Sequence, residues 1–304
     1  MRSKFQNNGE LNMIISFQNT TAEPLKIKVF LVSKGFSHRL ISSIKKGGIL
    51  QINGKKQTTA DMIAPTEVLK LRLPKEKSDP NVPFSFQPLS VVFEDDNWLV
   101  INKPAGLSSV PGPSNRDDTV VNRVKGHLKN QGSQDLVPHV ITRLDRFTSG
   151  VMLIAKNRLA ASALSPQIEN HTIQKKYRVF VSGQLDEMQG VINQPIAKAA
   201  DGIHREVSAE GQQAQTRFRL IHQYAHFAEV EAELLTGRTH QIRVHFASLG
   251  QPLLGDELYG GPMNMGIKRQ ALHAESLTFT DPLTDQEHTF EVVLPKDMES
   301  VKNV

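Results

Sequence analysis

The 304-residue chain contains no cysteine. That excludes disulfide frameworks, thiolate nucleophiles, iron–sulfur clusters and cysteine-based zinc sites, so any nucleophile is oxygen or nitrogen. No apolar stretch approaches the roughly 20 residues needed to span a bilayer. Hydrophobic residues at 38% and charged residues at 22% are ordinary for a globular protein. Between Met1 and Gln18 the apolar run from Leu11 to Phe17 is short, is broken by Asn12 and lacks a small-residue cleavage site. No signal peptide is expected, and the cytoplasm is the expected compartment. A nucleotide-phosphate cradle is also missing. The glycine-bounded stretch Pro252 to Gly261 has no Lys-Ser/Thr ending and no strand-to-helix setting, so ATP or NAD use is unsupported.

What the chain does carry is positive charge. A formal charge of +5 and a pI near 9.3 suit a polyanionic partner, because Lys and Arg neutralise phosphates. A length of 304 residues exceeds what one compact core usually supports, so a large domain with a smaller companion is expected.

Residues 24–74 read as the small unit, preceded by an extension over 1–23. A helical stretch from Leu25 to Val32 stops at Gly35. Ser37 can cap a second helix whose Leu40, Ile41 and Ile44 share a face, and Gly47-Gly48 ends it. The strand Ile49 to Ile52 then meets Asn53-Gly54, a strong two-residue hairpin signal, with a last strand at Val68 to Leu73. Within the unit ten cations (Lys26, Lys28, Lys34, Arg39, Lys45, Lys46, Lys55, Lys56, Lys70 and Arg72) face two acids, Asp61 and Glu67. These residues, above all Lys45-Lys46-Gly47 and Ile52-Asn53-Gly54-Lys55, resemble the small RNA-binding domain of the ribosomal-protein S-four type. The first helix lacks the Arg-Leu-Asp opening that such modules often show.

Residues 75–88, rich in Lys, Asp, Ser and Pro, read as a linker, and 89–304 as the large domain. It opens with a hairpin of Val91 to Phe93 and Trp98 to Ile101. Further strands are expected at Val151 to Ala155, Tyr177 to Ser182, Thr216 to Ile221, Phe227 to Leu234, Gln241 to Phe246 and Thr289 to Leu294. Helices are expected at Val120 to Lys129 and Arg158 to Asn170. Strands separated by turns, with scattered helices, argue for an α+β fold built on a mixed, largely antiparallel sheet.

Two segments carry candidate chemistry. In Arg143-Leu144-Asp145-Arg146-Phe147-Thr148-Ser149-Gly150 a carboxylate between two arginines enters the apolar strand Val151 to Ile154. The flanking cations favour the ionised carboxylate, although spacing alone fits an ordinary surface ion pair better. In Gly237-Arg238-Thr239-His240-Gln241-Ile242-Arg243-Val244-His245, apolar Ile242, Val244 and Phe246 alternate with polar Gln241, Arg243 and His245. On a strand His240 and His245 point to opposite faces without an acidic partner, so no metal is expected.

In this order the two segments resemble the RluA-type pseudouridine synthases, whose patterns include Arg-Leu-Asp-x-x-Thr-Ser-Gly and Gly-Arg-Thr-His-Gln-x-Arg-Val-His. The resemblance extends over about residues 90–295, through Asn102-Lys103-Pro104-Ala105-Gly106, Lys176-Tyr177, Gly255 to Gly261 and Leu272-His273-Ala274. The family pattern has His immediately before Arg-Leu-Asp; here Thr142 stands there, with His139 three residues earlier.

The resemblance implies a cofactor-free isomerase of uridine in structured RNA, ribosomal rather than transfer RNA, acting by base flipping; a monomer is expected, and the isomerisation needs no metal. It implies that Asp145 is the catalytic aspartate, that Tyr177 packs against the target base and that Arg243 pairs with the aspartate. Arg143 would displace the uridine, and Arg146, Arg238, His240, Lys45 and Lys46 would contact the RNA. Asp256 and His273 read as residues that hold the fold. The rivals are a scaffold that binds RNA without turnover, and a glycoside or nucleoside hydrolase. The hydrolase needs a carboxylate pair flanking the scissile bond, whereas one strong candidate is found.

Overall fold

Ile15 and Phe17 alternate with Ser16 and Gln18 in the first described segment, which forms the strand β1 (Ile14–Gln18). The computed structural model describes residues 14–113 and 115–303, so most of the N-terminal stretch considered above lies outside the described residues. After β1 come β2 (Leu25–Lys26), α1 (Ile27–Ser33), α2 (His38–Gly47), β3 (Ile49–Ile52), β4 (Lys55–Gln57), β5 (Met62–Ile63) and β6 (Val68–Arg72).

Ser37 caps α2, its hydroxyl accepting from the Leu40 N–H. Leu40, Ile41 and Ile44 turn inward, while Lys45 and Lys46 stay exposed in the last turn, where cations complement the helix dipole. Asn53 and Gly54, at φ of 52° and 78°, join β3 to β4 by the expected two-residue turn.

These strands form a sheet in the order β1-β6-β3-β4, and β2 pairs with β5. Because β1 runs antiparallel to β6 from Ile14↔Arg72 to Gln18↔Val68, part of the expected extension completes this sheet. A boundary at Pro24 therefore cuts through it. Ile15, Ile27, Phe30, Leu31, Leu40, Ile44, Leu69 and Leu71 make its core, which also takes in Leu159 from the larger unit.

Residues 75–88 hold no helix or strand, yet they are tied down. Glu76 binds His139 at 2.8 Å and Arg158 at 3.2 Å. The Ser85 N–H donates to the Asn122 carbonyl at 3.0 Å, and the Lys125 ammonium donates to the Asp79 and Val82 carbonyls.

The larger unit continues with β7 (Val91–Glu94), β8 (Trp98–Lys103), α3 (Val120–Asn130), β9 (His139–Val140), β10 (Ser149–Ala155) and α4 (Arg158–Glu169). Next are β11 (Gln174–Ser182), β12 (Gln189–Asn193), β13 (Ile196–Lys198), β14 (Arg205–Val207), β15 (Gln215–Gln223) and β16 (Phe227–Leu234). The chain ends with α5 (Gln241–Ser248), β17 (Leu272–Thr280), β18 (Glu287–Glu291) and α6 (Lys296–Val301).

One large sheet runs β12-β15-β16-β11-β17-β10-β8-β7, with β18 beside β17 and β9 beside β10. All its pairings are antiparallel except β10 with β17, so the fold is α+β with a mixed, largely antiparallel sheet. Trp98, Val100, Met152, Ile154, Val179 and Val230 lie in one core with Val124 of α3, Leu164 of α4 and Phe246 of α5. Among the described residues no helix is long and apolar enough to cross a membrane.

The segment Gln241 to Phe246 is a helix, not the strand its alternation predicts. All six residues are buried, so inside and outside carry no periodicity to read, and tertiary context overrides the β-branched propensity of Ile242 and Val244. The turn before it is fixed by the Gln241 side chain. Its Oε1 accepts from the Arg238 N–H and the Thr236 hydroxyl, and its Nε2 donates to the Gln215 carbonyl and the Thr216 hydroxyl. His240, at φ 58°, turns the chain into the helix.

Candidate active site

Asp145 sits on a loop whose backbone is held at nearly every residue. The Ser109 hydroxyl donates to the Leu144 carbonyl at 2.6 Å and accepts from the Leu144 N–H at 3.1 Å. The Arg146 carbonyl accepts from the Gly106 N–H at 2.8 Å and from the Lys103 ammonium at 3.1 Å. The Phe147 carbonyl accepts from Arg269 at 3.1 Å, and the Thr148 N–H closes a turn on the Asp145 carbonyl. Beyond the loop Gly150, at φ 119°, lets β10 run beside β17, where a Cβ would lie 2.2 Å from the Ala274 carbonyl oxygen. Such over-determined backbone preorganises the carboxylate it carries.

The Asp145 side chain is 28% exposed and faces the guanidinium of Arg243, Nη1 to Oδ2 at 3.4 Å. Arg243 is directed by α5 and held more tightly from behind. Its Nε and Nη2 each donate to one oxygen of Asp256 at 2.7 Å, and the Asp256 side chain is 1% exposed. This bidentate geometry is the strong form of a carboxylate–guanidinium pair. Burial opposes the Arg243 charge, but the Asp256 contacts outweigh it and hold the guanidinium above its ordinary range.

Tyr259 adds a third support. Arg243 lies over its ring at 4.8 Å, and its hydroxyl meets His240 Nδ1 at 2.9 Å and accepts from the Arg205 N–H at 3.0 Å. His240 Nε2 is 3.8 Å from Asp145 Oδ2. Burial lowers the His240 pKa, with the Asp145 charge pulling the other way.

Tyr177 projects from β11, buried at 6% exposure, opposite Ala274 and just past an irregularity in the β11–β17 register. Burial pushes its phenol well above the ordinary range and the Asp145 charge adds to this, so the ring is neutral. Lys103 is wholly buried, and its ammonium donates to the Pro104, Leu107 and Arg146 carbonyls. Burial brings its pKa down to about 7 against the pull of Asp145.

The structure thus brings Asp145, Arg243 and His240 together and places Tyr177 within reach of the Asp145 charge. Arg143 and Arg146 are exposed on the same loop. Arg238 is anchored on a neighbouring loop, its Nε donating to the Gln213 carbonyl at 3.0 Å. Lys45 and Lys46 belong to the small unit. Thr142, which stands where the family pattern has His, accepts from the Leu153 N–H at 2.9 Å, and His139 is engaged by Glu76. His245 does not reach the site: its ring nitrogens lie 2.8 Å from the Thr216 hydroxyl and 3.0 Å from the Gln194 carbonyl. Among the described residues no cluster of three or more metal-ligating side chains occurs.

Sequence reading missed Asp256, Tyr259, Lys103 and Arg269 as parts of this site. Gly255 carried a signal for the first two. It sits at φ 69°, and a Cβ there would lie 2.2 Å from the Arg269 carbonyl oxygen, so a close approach of two backbone segments fixes the next residue.

Residues 97–248 match the RNA pseudouridylate synthase family. The chain is 39% identical over 276 residues to the uncharacterized RNA pseudouridine synthase YjbO of Bacillus subtilis, covering 90% of this chain and 97% of that one. It is 36% identical over 276 residues to ribosomal large subunit pseudouridine synthase D of Xylella fastidiosa, covering 86% and 82% respectively. The solved human RNA pseudouridylate synthase domain containing 4 shares the fold, with a TM-score of 0.59 at 23% identity over 70% of this chain and 92% of that one. With two relatives above one-third identity along most of its length, the chain belongs to the RNA pseudouridylate synthase family and is an isomerase acting on RNA.

Proposed function

We propose that this enzyme converts uridine to pseudouridine in ribosomal RNA, with Asp145 as the catalytic carboxylate. The observation that carries the reading is the Asp145 carboxylate, partly open to solvent and 3.4 Å from a guanidinium that Asp256 locks in place. The reaction breaks the bond from the ribose anomeric carbon to the uracil nitrogen and forms one to a ring carbon. Nothing is oxidised, reduced or hydrolysed, so the stoichiometry calls for no cofactor. Attack on the anomeric carbon, attack on the uracil ring and removal of a sugar proton all use the same ionised Asp145, and Arg243 would stabilise its charge.

The uridine must leave its stack, at a cost of a few kcal/mol that contacts in the pocket offset. Tyr177 supplies the neutral ring against which the uracil packs, and Arg143, exposed on the loop, fills the place it leaves. Arg146, Arg238 and His240 would contact the surrounding RNA.

Ribosomal RNA is favoured by relatives named ribosomal large subunit pseudouridine synthase D. The small unit would act as an S-four-type RNA-binding domain. On it a cleft of about 500 Å³ is lined by Arg39, Ser42, Ser43, Lys46, Gly47 and Pro74, a setting that suits phosphate groups. The enzyme would work as a monomer in the cytoplasm. Tritium release from ribosomal RNA labelled at the uracil ring carbon tests the reading; steady release is expected, and release from transfer RNA alone would refute the ribosomal assignment.

A further inference from the structure

The loop that carries Asp145 also presents a side chain for which the reaction above has no use. Phe147, two residues beyond the carboxylate, is 46% exposed. Scattered exposed apolar residues are ordinary, but this one is not free to turn inward. Its own carbonyl is held by Arg269, the preceding carbonyl by Gly106 and Lys103, and the following residue, Thr148, is buried at 2% exposure and turned back onto Asp145. A rigid backbone therefore holds a phenyl ring out into solvent beside the reactive group.

A cation lies against that ring. The Arg146 guanidinium sits 5.2 Å from its centroid, and Arg146 Nε is anchored on the Gly106 carbonyl at 3.1 Å. A phenyl ring with a guanidinium against it, standing in water, can take a further flat partner. The Cα atoms of Asp145 and Phe147 are at most about 7 Å apart, so both side chains leave one short stretch of loop and the ring is within reach of a nucleotide neighbouring one bound at Asp145. Unpaired bases of RNA stack on aromatic side chains and on arginine planes.

We propose that Phe147, backed by Arg146, stacks on a base adjacent to the target uridine and thereby contributes to the choice of site. The inference rests on the reading of Asp145 as the carboxylate that receives the uridine. Phe147 is a specificity residue in this account, because it touches the RNA outside the reacting nucleotide. The energy of stacking comes from the π-face, so Tyr or Trp should replace Phe, whereas Ala should not.

The test uses the full-length enzyme and an RNA that the wild type modifies. Stacking on one base, measured by alanine substitution, corresponds to roughly a 5- to 150-fold change in binding. Phe147→Ala should raise KM by a factor in that range with kcat changed much less, while Phe147→Tyr stays near the wild type. A thermal midpoint for Phe147→Ala close to that of the wild type is expected, since the ring belongs to none of the hydrophobic core clusters. A substrate with an abasic nucleotide at the contacted neighbour should raise the wild-type KM similarly and have no further effect on Phe147→Ala, as expected for two changes that remove one interaction. A wild-type KM for Phe147→Ala, or an abasic effect that simply multiplies at every neighbour, would overturn the stacking alone. A wild type that modifies no RNA would overturn the functional reading with it.

Discussion

Replacing Asp256 by Asn tests whether the tightest ion pair of the site supports Asp145, the proposed catalytic carboxylate. The Asp256 side chain is 1% exposed, the Arg243 side chain 7%, and two hydrogen bonds of 2.7 Å join them. Breaking a buried pair by removing one charge typically costs about 3–5 kcal/mol, because the remaining charge stays buried without compensation. Asn keeps one acceptor for the guanidinium, so about 3 kcal/mol is expected, a large share of the ~5–15 kcal/mol that holds a typical protein folded.

The Arg243–Asp145 contact is longer, at 3.4 Å, and more open. Its loss through Asp145→Asn should cost about 1 kcal/mol or less. Urea unfolding of both variants beside the wild type measures the two costs. Tritium release should also fall on the order of 100-fold in Asp256→Asn, because a small displacement of a positioning group is amplified in rate. Equal stability losses in the two variants, or full turnover by Asp256→Asn, would refute the view that Asp256 sets Arg243 for Asp145.

Two further outcomes are expected. His273 is buried on β17, with Nδ1 2.9 Å from the Ser149 hydroxyl, and burial brings its pKa down to about 4. The unfolded chain then takes up the proton first as pH falls through the ordinary value of about 6.5. Stability is therefore fully present above pH 6.5 and is lost progressively towards pH 4, by up to about 3 kcal/mol; unfolding followed across that window should show the slope, and His273→Asn should flatten it. In the small unit, replacing both Lys45 and Lys46 by Ala should weaken RNA binding uniformly across sequences and reduce the salt dependence of log K by about 2, as filter binding over a salt series would show.

Much of the small unit is legible in its sequence because its signals are local. The Ser37 cap, the Leu40, Ile41 and Ile44 face and the Asn53-Gly54 turn each depend on neighbours within a few residues. The strand that completes its sheet was not legible, since β1 gains its place only by pairing with β6 some fifty residues on.

In the larger unit the misreading of α5 has the opposite cause. Ile242, Val244 and Phe246 alternate as in a half-buried strand, but the helix they form is buried all round, so alternation reports nothing about its faces. The site follows the same division. Arg143 to Gly150 reads as polar loop entering apolar strand, whereas Asp256 reads as structural because nothing local shows that its partner is Arg243, thirteen residues back on α5. Lys103 was equally opaque: a lysine that ends a strand reads as solvated, and its three carbonyl partners come from the turn after it and from the Asp145 loop.

Turnover and binding by Asp145→Asn, measured side by side on ring-tritiated ribosomal RNA, test the central claim most directly. The amide keeps the shape and loses the charge, so tritium release should disappear while RNA affinity stays within a few fold of the wild type. Release at the wild-type rate by Asp145→Asn would remove this carboxylate from the reaction.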